Sequence, residues 1–194
     1  MPALVNKEKK YVFVHIPKTA GGSICEKLIK DGAMRALHEV HPTSTRLCEK
    51  YSPDEFFYFT FVRNPWDRIY SLYNFTEFKY HKRTKSKTPR FQSFEHFILE
   101  GFSNDWHYVQ SPKFPQTYWI LIENKIVPKF IGKFETLTDD LKILSKHIDV
   151  SFDNLDHVHK SFRLSNYQEA YNKKGKNLIK QYHISDIELF DYIF

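Results

Sequence analysis

Three short apolar runs, each followed by a turn and then by helical periodicity, constrain the fold more than any other feature of the chain. The runs are Tyr11–Ile16, Phe56–Val62 and Ile126–Phe134. Their β-branched and aromatic residues are typical of buried strands. Helical patterns follow at Ile24–Lys30 and Thr138–Ile148. Strands that alternate with helices predict an α/β fold with a central, mostly parallel sheet flanked by helices.

The length of 194 residues fits a single domain, which we expect at residues 11–194 behind a polar N-terminal tail, residues 1–10. Lys and Arg number 29 against 23 Asp and Glu, and this net charge of +6 favours an anionic ligand. Two cysteines are too few for a disulfide framework or a metal cluster. No segment is apolar enough to predict a membrane span or a signal peptide, so we expect a cytoplasmic protein.

The segment HIPKTAGGS, residues 15–23, joins the first predicted strand to the first predicted helix. Such a turn directs backbone N–H groups and the positive end of a helix dipole at one point, which favours phosphate or sulfate. Lys18 adds a mobile charge, and Gly21 and Gly22 allow a ligand to approach closely. A nucleoside-triphosphate P-loop requires GxxxxGK[ST], whereas here the lysine precedes the glycines. A triphosphatase is therefore disfavoured, and the simpler alternative is a plain turn with a surface lysine.

A second candidate site lies in FVRNPWDRIYSLY, residues 61–73. Arg63 follows a predicted strand, and Asn64 and Pro65 are typical of a helix start. Ser71 lies two turns into that helix. A guanidinium and a hydroxyl so placed can bind one phosphate. Taken singly, each residue is equally well explained as a surface arginine or an ordinary helical serine.

Together, PKTAGGS and FTFVRNPWDRIYSLY resemble the 5′-phosphosulfate loop and the 3′-phosphate loop of sulfotransferases. The similarity is to the carbohydrate branch related to heparan and chondroitin sulfotransferases. Residues 130–144 and 155–171 resemble later segments of the same family, although Gly22 and His159 depart from its usual pattern. The resemblance implies a P-loop-like sulfotransferase fold, 3′-phosphoadenosine 5′-phosphosulfate (PAPS) as sulfuryl donor and no metal.

The resemblance also implies a role for each matching residue. Lys18 would contact the phosphosulfate and stabilise charge on the leaving phosphate. Arg63 and Ser71 would hold the 3′-phosphate. The other implied donor contacts are Thr19, Ala20, Gly21, Gly22 and Ser23 around the 5′-phosphate, and Lys160, Ser161 and Arg163 late in the chain.

Transfer to a hydroxyl requires a base. In the branch that the sequence resembles the base is Glu or His, and the members most similar to this pattern use a histidine that lies between the two loops. That interval contains His38 and His41, with Glu39 as a weaker candidate. His41 fits best, because a family-like helix-start segment, HPTSTRL, begins there, and the ordinary pKa of histidine near 6.5 suits a base. His38 is the alternative base, and both histidines are also compatible with ordinary surface positions.

The acceptor implied is a hydroxyl of a carbohydrate or glycoconjugate. Residues 79–90 contain six Lys and Arg, so we predict an exposed loop that either contacts an acidic glycan or is simply solvated. Residues 106–108 and 116–119 are aromatic and polar, which fits sugar stacking or core packing equally. A helix is predicted over residues 66–78, and residues 165–194 are predicted to form two helices broken near Gly175.

The sequence is also compatible with two other functions. One is a nucleic-acid-binding protein, although no RRM, KH or helix-turn-helix signature is present. The other is a degenerate nucleotide kinase. Because animal members of the family are anchored in the Golgi membrane, the alternative to a cytoplasmic location is the soluble catalytic part of such an enzyme. The oligomeric state is not predicted.

Overall fold

The computed structural model describes residues 2–103, 111–153 and 166–194. The chain divides into two compact units. We call Met1–Arg63 with Gln116–His159 the α/β unit, and Asn64–Pro115 with Lys160–Phe194 the helical unit. The expectation of one domain over residues 11–194 stays a prediction.

The described part of the α/β unit contains one five-stranded sheet and a separate hairpin. The strands of the sheet are β1 (Leu4–Asn6), β2 (Tyr11–Phe13), β3 (Met34–Arg35), β4 (Phe57–Val62) and β7 (Phe130–Lys133), and those of the hairpin are β5 (Leu121–Ile122) and β6 (Lys125–Ile126). The strand order in the sheet is β3-β1-β2-β4-β7. β2 pairs in parallel with β4, and β4 with β7, whereas β1 is antiparallel to both β2 and β3. The sheet is therefore mixed, and the prediction of a mostly parallel sheet is wrong.

The antiparallel part comes from the residues that the sequence predicted as an N-terminal tail. Leu4 pairs with Phe13, so residues 4–6 form a buried strand of the sheet. The side chain of Asn6 accepts hydrogen bonds from the backbone N–H groups of Glu8 and Lys9, at 3.0 and 2.9 Å, which closes the turn into β2. The first strand has only three residues, two apolar and one polar, and charged residues follow it. Such a short pattern is not periodic enough to predict this hairpin.

Helices cover one face of this sheet. α1 (Gly21–Lys30) and α6 (Leu137–Ile148) bury Leu28 and Leu144 in a core that includes Phe13, Phe59 and Phe61. The rings of Phe13 and Phe59 stack with their centroids 5.1 Å apart. Each such side chain contributes roughly 1.5–3 kcal/mol when fully buried, so this core fixes the strand ends that carry the loops. α2 (Ser44–Cys48) and α5 (Thr117–Ile120) are the other helices described in this unit.

The helical unit contains α3 (Pro65–Thr84), α4 (Phe94–Ser103), α7 (Tyr167–Ala170), α8 (Lys173–Tyr182) and α9 (Ile184–Phe190). As predicted, Asn64 begins α3, and its side chain accepts the backbone N–H of Trp66 at 3.1 Å. The helix continues to Thr84, so the loop prediction for residues 79–90 is wrong in its first half. The predicted break near Gly175 is also wrong, because that glycine lies inside α8. None of the helices described in either unit is long and apolar enough to cross a membrane.

Candidate functional site

The loop between β2 and α1 is held tightly to the end of the sheet. The backbone N–H of Val14 donates to the carbonyl of Phe59 at 2.9 Å, and the hydroxyl of Thr60 donates to the carbonyl of Val14 at 2.7 Å. The buried hydroxyl of Thr19 donates to the carbonyl of Ile16 at 3.0 Å. The side chain of Thr19 therefore closes the loop on itself.

Two non-glycine residues of this loop have left-handed backbone conformations, Lys18 with φ 72° and Ala20 with φ 67°. These turns bring the chain directly into α1, whose first turn has no acidic residue. Ala20, the N-cap, has no side chain that could accept a hydrogen bond from the helix end. The first turn of α1 thus contains no carboxylate that would compete with an anion for the helix dipole and the first backbone N–H groups.

Two histidines are in contact at this loop: His15 belongs to it, and His41 bonds to its backbone. His15 and His41 are buried with their ring centroids 4.5 Å apart and their planes at 68°. The Nδ1–H of His41 donates to the backbone carbonyl of His15 at 2.9 Å. A carbonyl oxygen can only accept, so Nδ1 carries a proton, and in the neutral form of the ring the lone pair is on Nε2.

The pKa of His15 is lowered well below its usual value. Burial is the main cause, and the neighbouring His41 and the ammonium group of Lys18 lower it further. His15 is therefore neutral, and both His41 and Lys18 lie within electrostatic reach of its ring.

The two other candidates for a base lie in different surroundings. His38 is exposed, and its backbone carbonyl accepts a hydrogen bond from Arg35 at 2.7 Å. Glu39 is also exposed and forms an ion pair with Arg46 at 2.8 Å. Of the three candidates, His41 is the one that contacts the loop after β2.

Arg63 lies at the end of β4 and is buried. Its Nη1–H donates to the carbonyl of Lys18 at 3.1 Å, and its guanidinium lies over the ring of Phe134, 4.0 Å from the centroid. The two segments that the sequence singled out therefore meet within the α/β unit, with both cationic residues at the same sheet edge. This proximity follows from the parallel pairing of β2 with β4, because the carboxyl ends of parallel strands lie at one edge.

Gln116 and Trp119 support this arrangement, whereas the sequence alone is equally compatible with sugar stacking and with core packing. Both are fully buried, so they do not stack on a sugar from solvent. The amide of Gln116 bonds to both backbone groups of Arg63, and the indole of Trp119 donates to the backbone carbonyl of His41. Aromatic density gave no signal for these contacts, because similar residues occur throughout the chain. Residues 106–108 lie outside the described part.

Ser71 belongs to the helical unit, where it is buried in α3. The predicted contacts Lys160, Ser161 and Arg163 lie outside the described residues. Among the described residues, no group of His, Cys, Asp or Glu could hold a metal ion.

The last turns of α3 and the loop after them are strongly basic. We call residues 79–90 the basic segment, and its six Lys and Arg residues are all exposed. Glu77 accepts hydrogen bonds from the backbone N–H groups of Arg90 and Phe91, both at 2.9 Å, so the loop folds back onto α3. The segment contains no Asp or Glu, and the rest of the chain has 23 residues of each sign. The whole net charge of the protein is therefore concentrated in this segment.

Comparison with known proteins identifies the family. Residues 1–193 match the model of the sulfotransferase family. No curated protein and no solved structure matches the chain significantly. A family match over nearly the whole chain establishes the general reaction, the transfer of a sulfuryl group. The chain therefore belongs to the sulfotransferase family.

Proposed function

We propose that this sulfotransferase moves the sulfuryl group of PAPS to a hydroxyl of a carbohydrate or glycoconjugate acceptor. The observation that carries the proposal is the hydrogen bond between Arg63 and the carbonyl of Lys18, at 3.1 Å, which joins the two candidate anion-binding segments. A donor with a 5′-phosphosulfate and a 3′-phosphate requires two such segments. A single phosphate loop would serve ATP equally well.

The residues present fit such a donor. The N-terminus of α1 has no acidic residue in its first turn, and Arg63 donates a hydrogen bond to the carbonyl of Lys18, three residues before that helix. We assign the 5′-phosphosulfate to Lys18 and to the first backbone N–H groups of α1, and the 3′-phosphate to Arg63. Ser71 is proposed as a second contact of the 3′-phosphate on the resemblance alone. Lys160, Ser161 and Arg163 are proposed as further donor contacts on the resemblance alone. A P-loop-like arrangement of the first loop and a cytoplasmic location also remain predictions.

In the proposed mechanism, His41 accepts the proton of the acceptor hydroxyl and Lys18 stabilises the charge of the leaving phosphate. When bound, the donor supplies an activated sulfuryl group, whose transfer forms an S–O bond to the acceptor and breaks the S–O bond to the 5′-phosphate. His41 accepts the proton of the acceptor hydroxyl at Nε2, because Nδ1 is committed to the carbonyl of His15. The ammonium group of Lys18 stabilises the negative charge that develops on the leaving phosphate. Adenosine 3′,5′-bisphosphate (PAP) is the second product.

The test of the donor is calorimetric titration with PAP beside ADP and AMP, without metal. We expect PAP to bind more tightly than either, and Arg63→Ala to raise the Kd of PAP at least about tenfold, since a hydrogen bond to a charged group contributes roughly 1.5–3 kcal/mol. Arg46→Ala is the matched control, because Arg46 is an exposed arginine of the same unit that forms surface ion pairs. Equal binding of ADP and PAP would contradict the proposal and favour a nucleotide kinase.

The basic segment supports an acidic acceptor. All six Lys and Arg side chains are exposed and can attract an anionic glycan. This attraction weakens as the salt concentration rises, because salt screens exposed charges. We expect the triple variant Lys79→Ser, Lys82→Ser, Arg83→Ser to raise the KM of an acidic oligosaccharide by about tenfold, since each exposed ion pair contributes roughly 0.5 kcal/mol. The Kd of PAP is expected to stay unchanged.

The control for this prediction removes three other exposed lysines of the chain, with the changes Lys30→Ser, Lys142→Ser and Lys146→Ser. It alters the net charge equally but leaves the basic segment intact. Initial rates are measured at low and high salt with an acidic and a neutral acceptor. Equal KM values for the two triple variants would mean that the basic segment is only a solvated surface.

A further inference from the structure

One buried turn is bonded to both segments of the candidate site. It consists of α5 and its N-cap, Gln116. We propose that Gln116 and Trp119 are positioning residues, through which this turn orients Arg63 toward the donor and His41 toward the acceptor hydroxyl. The inference rests on the proposed function, because it assigns a separate kinetic effect to each of these two residues.

Just beyond the end of β4, the side chain of Gln116 takes the hydrogen-bonding place of a neighbouring strand. The last paired residue of β4 is Val62, opposite Lys133. Beyond it, the backbone N–H of Arg63 donates to the Oε1 of Gln116, and the Nε2–H of Gln116 donates to the carbonyl of Arg63, both at 2.8 Å. A fully buried amide thus satisfies both backbone groups of one residue, as a neighbouring strand would. The pair of bonds fixes the backbone of Arg63 and hence the direction of its side chain.

Trp119 holds the backbone of the proposed base. Its indole Nε1–H donates to the carbonyl of His41 at 3.2 Å, while the ring of His41 donates to the carbonyl of His15 at 2.9 Å. His41 has φ 54°, a left-handed conformation that is strained for a residue with a side chain. Bonds at both its carbonyl and its ring hold that conformation, so the direction of Nε2 depends on Trp119.

The two contacts originate from one helical turn. Positions i and i+3 lie on the same side of a helix, and Gln116 and Trp119 have this spacing. The turn itself is closed by the backbone bond from Trp119 to the carbonyl of Gln116, at 3.1 Å. Their partners, Arg63 and His41, come from separate segments of the chain, so each contact can be removed without touching the other.

The experiment compares Gln116→Met with Trp119→Phe. Methionine keeps the size of glutamine but makes neither bond to Arg63, whereas phenylalanine keeps an aromatic ring but has no N–H for His41. Misplacement of a functional group by about 1 Å, caused by a change away from the reacting atoms, can cost up to about 100-fold. We expect Gln116→Met to raise the Kd of PAP about tenfold, with kcat at saturating donor within about threefold of wild type. We expect Trp119→Phe to lower kcat about tenfold, with the Kd of PAP unchanged.

Two matched controls delete the same chemical groups elsewhere. Trp66→Phe removes a buried indole N–H that donates to the carbonyl of Lys176 at 3.1 Å in the helical unit. Asn6→Leu removes a buried amide that bonds to backbone N–H groups of the first hairpin and to the carbonyl of Asp31 at the end of α1, the latter at 3.2 Å. Each control is expected to lower the unfolding temperature without separating Kd from kcat. If Gln116→Met does not fold, Gln116→Glu retains the acceptor for the N–H of Arg63 and serves in its place.

The outcomes separate the inference from the proposed function. A wild-type chain that binds PAP, with variants whose Kd and kcat change together or merely match the controls, would overturn the positioning roles and leave the donor assignment intact. A wild-type chain that does not bind PAP would overturn both. The expected split, with Kd changed in one variant and kcat in the other, supports both.

Discussion

His41→Asn is expected to lower kcat by about a thousandfold while leaving the Kd of PAP unchanged. A general base typically accelerates transfer by 10²- to 10⁴-fold, and asparagine has no basic nitrogen. Its amide can still donate to the carbonyl of His15 in place of Nδ1, and asparagine tolerates the left-handed conformation at this position better than most residues. The substitution therefore removes the base with little disturbance of the loop. Single-turnover rates with PAPS and calorimetry with PAP measure the two quantities separately.

Lys18→Ala provides the contrasting result. Because Lys18 is assigned to the donor, its loss is expected to abolish turnover and also to raise the Kd of PAP. His41→Ala should resemble His41→Asn in kcat but with a lower unfolding temperature, because alanine loses the bond to His15. Turnover of His41→Asn close to wild type would remove His41 from the mechanism. A large loss in His38→Asn would then assign the base to His38.

The strand and helix that flank each loop could be predicted because their signals are local. The run before Arg63 is apolar apart from Thr60, and Asn64 begins the next helix through a bond within two residues, to the N–H of Trp66. Pro65 is placed at the first helical position, where its missing N–H costs nothing. Nothing distant in the chain is needed to define these elements.

The supports of the candidate site could not be predicted, because they are long-range. Gln116 is 53 residues from Arg63, and Trp119 is 78 residues from His41. Each bond joins a side chain to a backbone group, and a backbone group is the same whatever the residue type. The identity of Arg63 or His41 therefore gives no signal for these contacts. The backbone conformations at Lys18 and His41 were equally hidden, since left-handed φ angles are usually signalled by glycine or asparagine.

The extension of α3 shows a different limit. Residues 79–84 lack an apolar stripe, and the sequence therefore predicts a loop there. Lysine and arginine are good helix formers, however, and a helix already nucleated by Asn64 and Pro65 needs no burial to continue. The hydrophobic pattern reports which face is buried, and it does not report where an exposed helix ends.

Gly21→Ala is expected to lower the free energy of unfolding by about 2–3 kcal/mol, at the upper end of the usual cost of overpacking. An added Cβ would lie 1.9 Å from the Nε2 of His15 and 2.1 Å from its Cδ2, far inside contact distance. The imidazole cannot retreat easily, because it stacks on Phe13 with centroids 5.6 Å apart and packs against His41 on another side. Moving it would displace the carbonyl and ring contacts that hold His41, so PAP binding and kcat should fall together. Urea unfolding, calorimetry and initial rates measure these effects.

Gly175→Ala is the matched control, because Gly175 also lies in the first turn of a helix and its added Cβ would meet Ile98 at 3.3 Å, where a small adjustment suffices. Alanine is the better helix former by about 1 kcal/mol, so this variant should be as stable as wild type within that amount. The decisive comparison is the double variant Gly21→Ala, His15→Ala. If the imidazole causes the clash, removing it should restore part of the stability lost in Gly21→Ala, and the two changes should be strongly non-additive. Additive losses would mean that the glycine is required by its backbone, in the path of the donor, and not by the ring of His15 behind it.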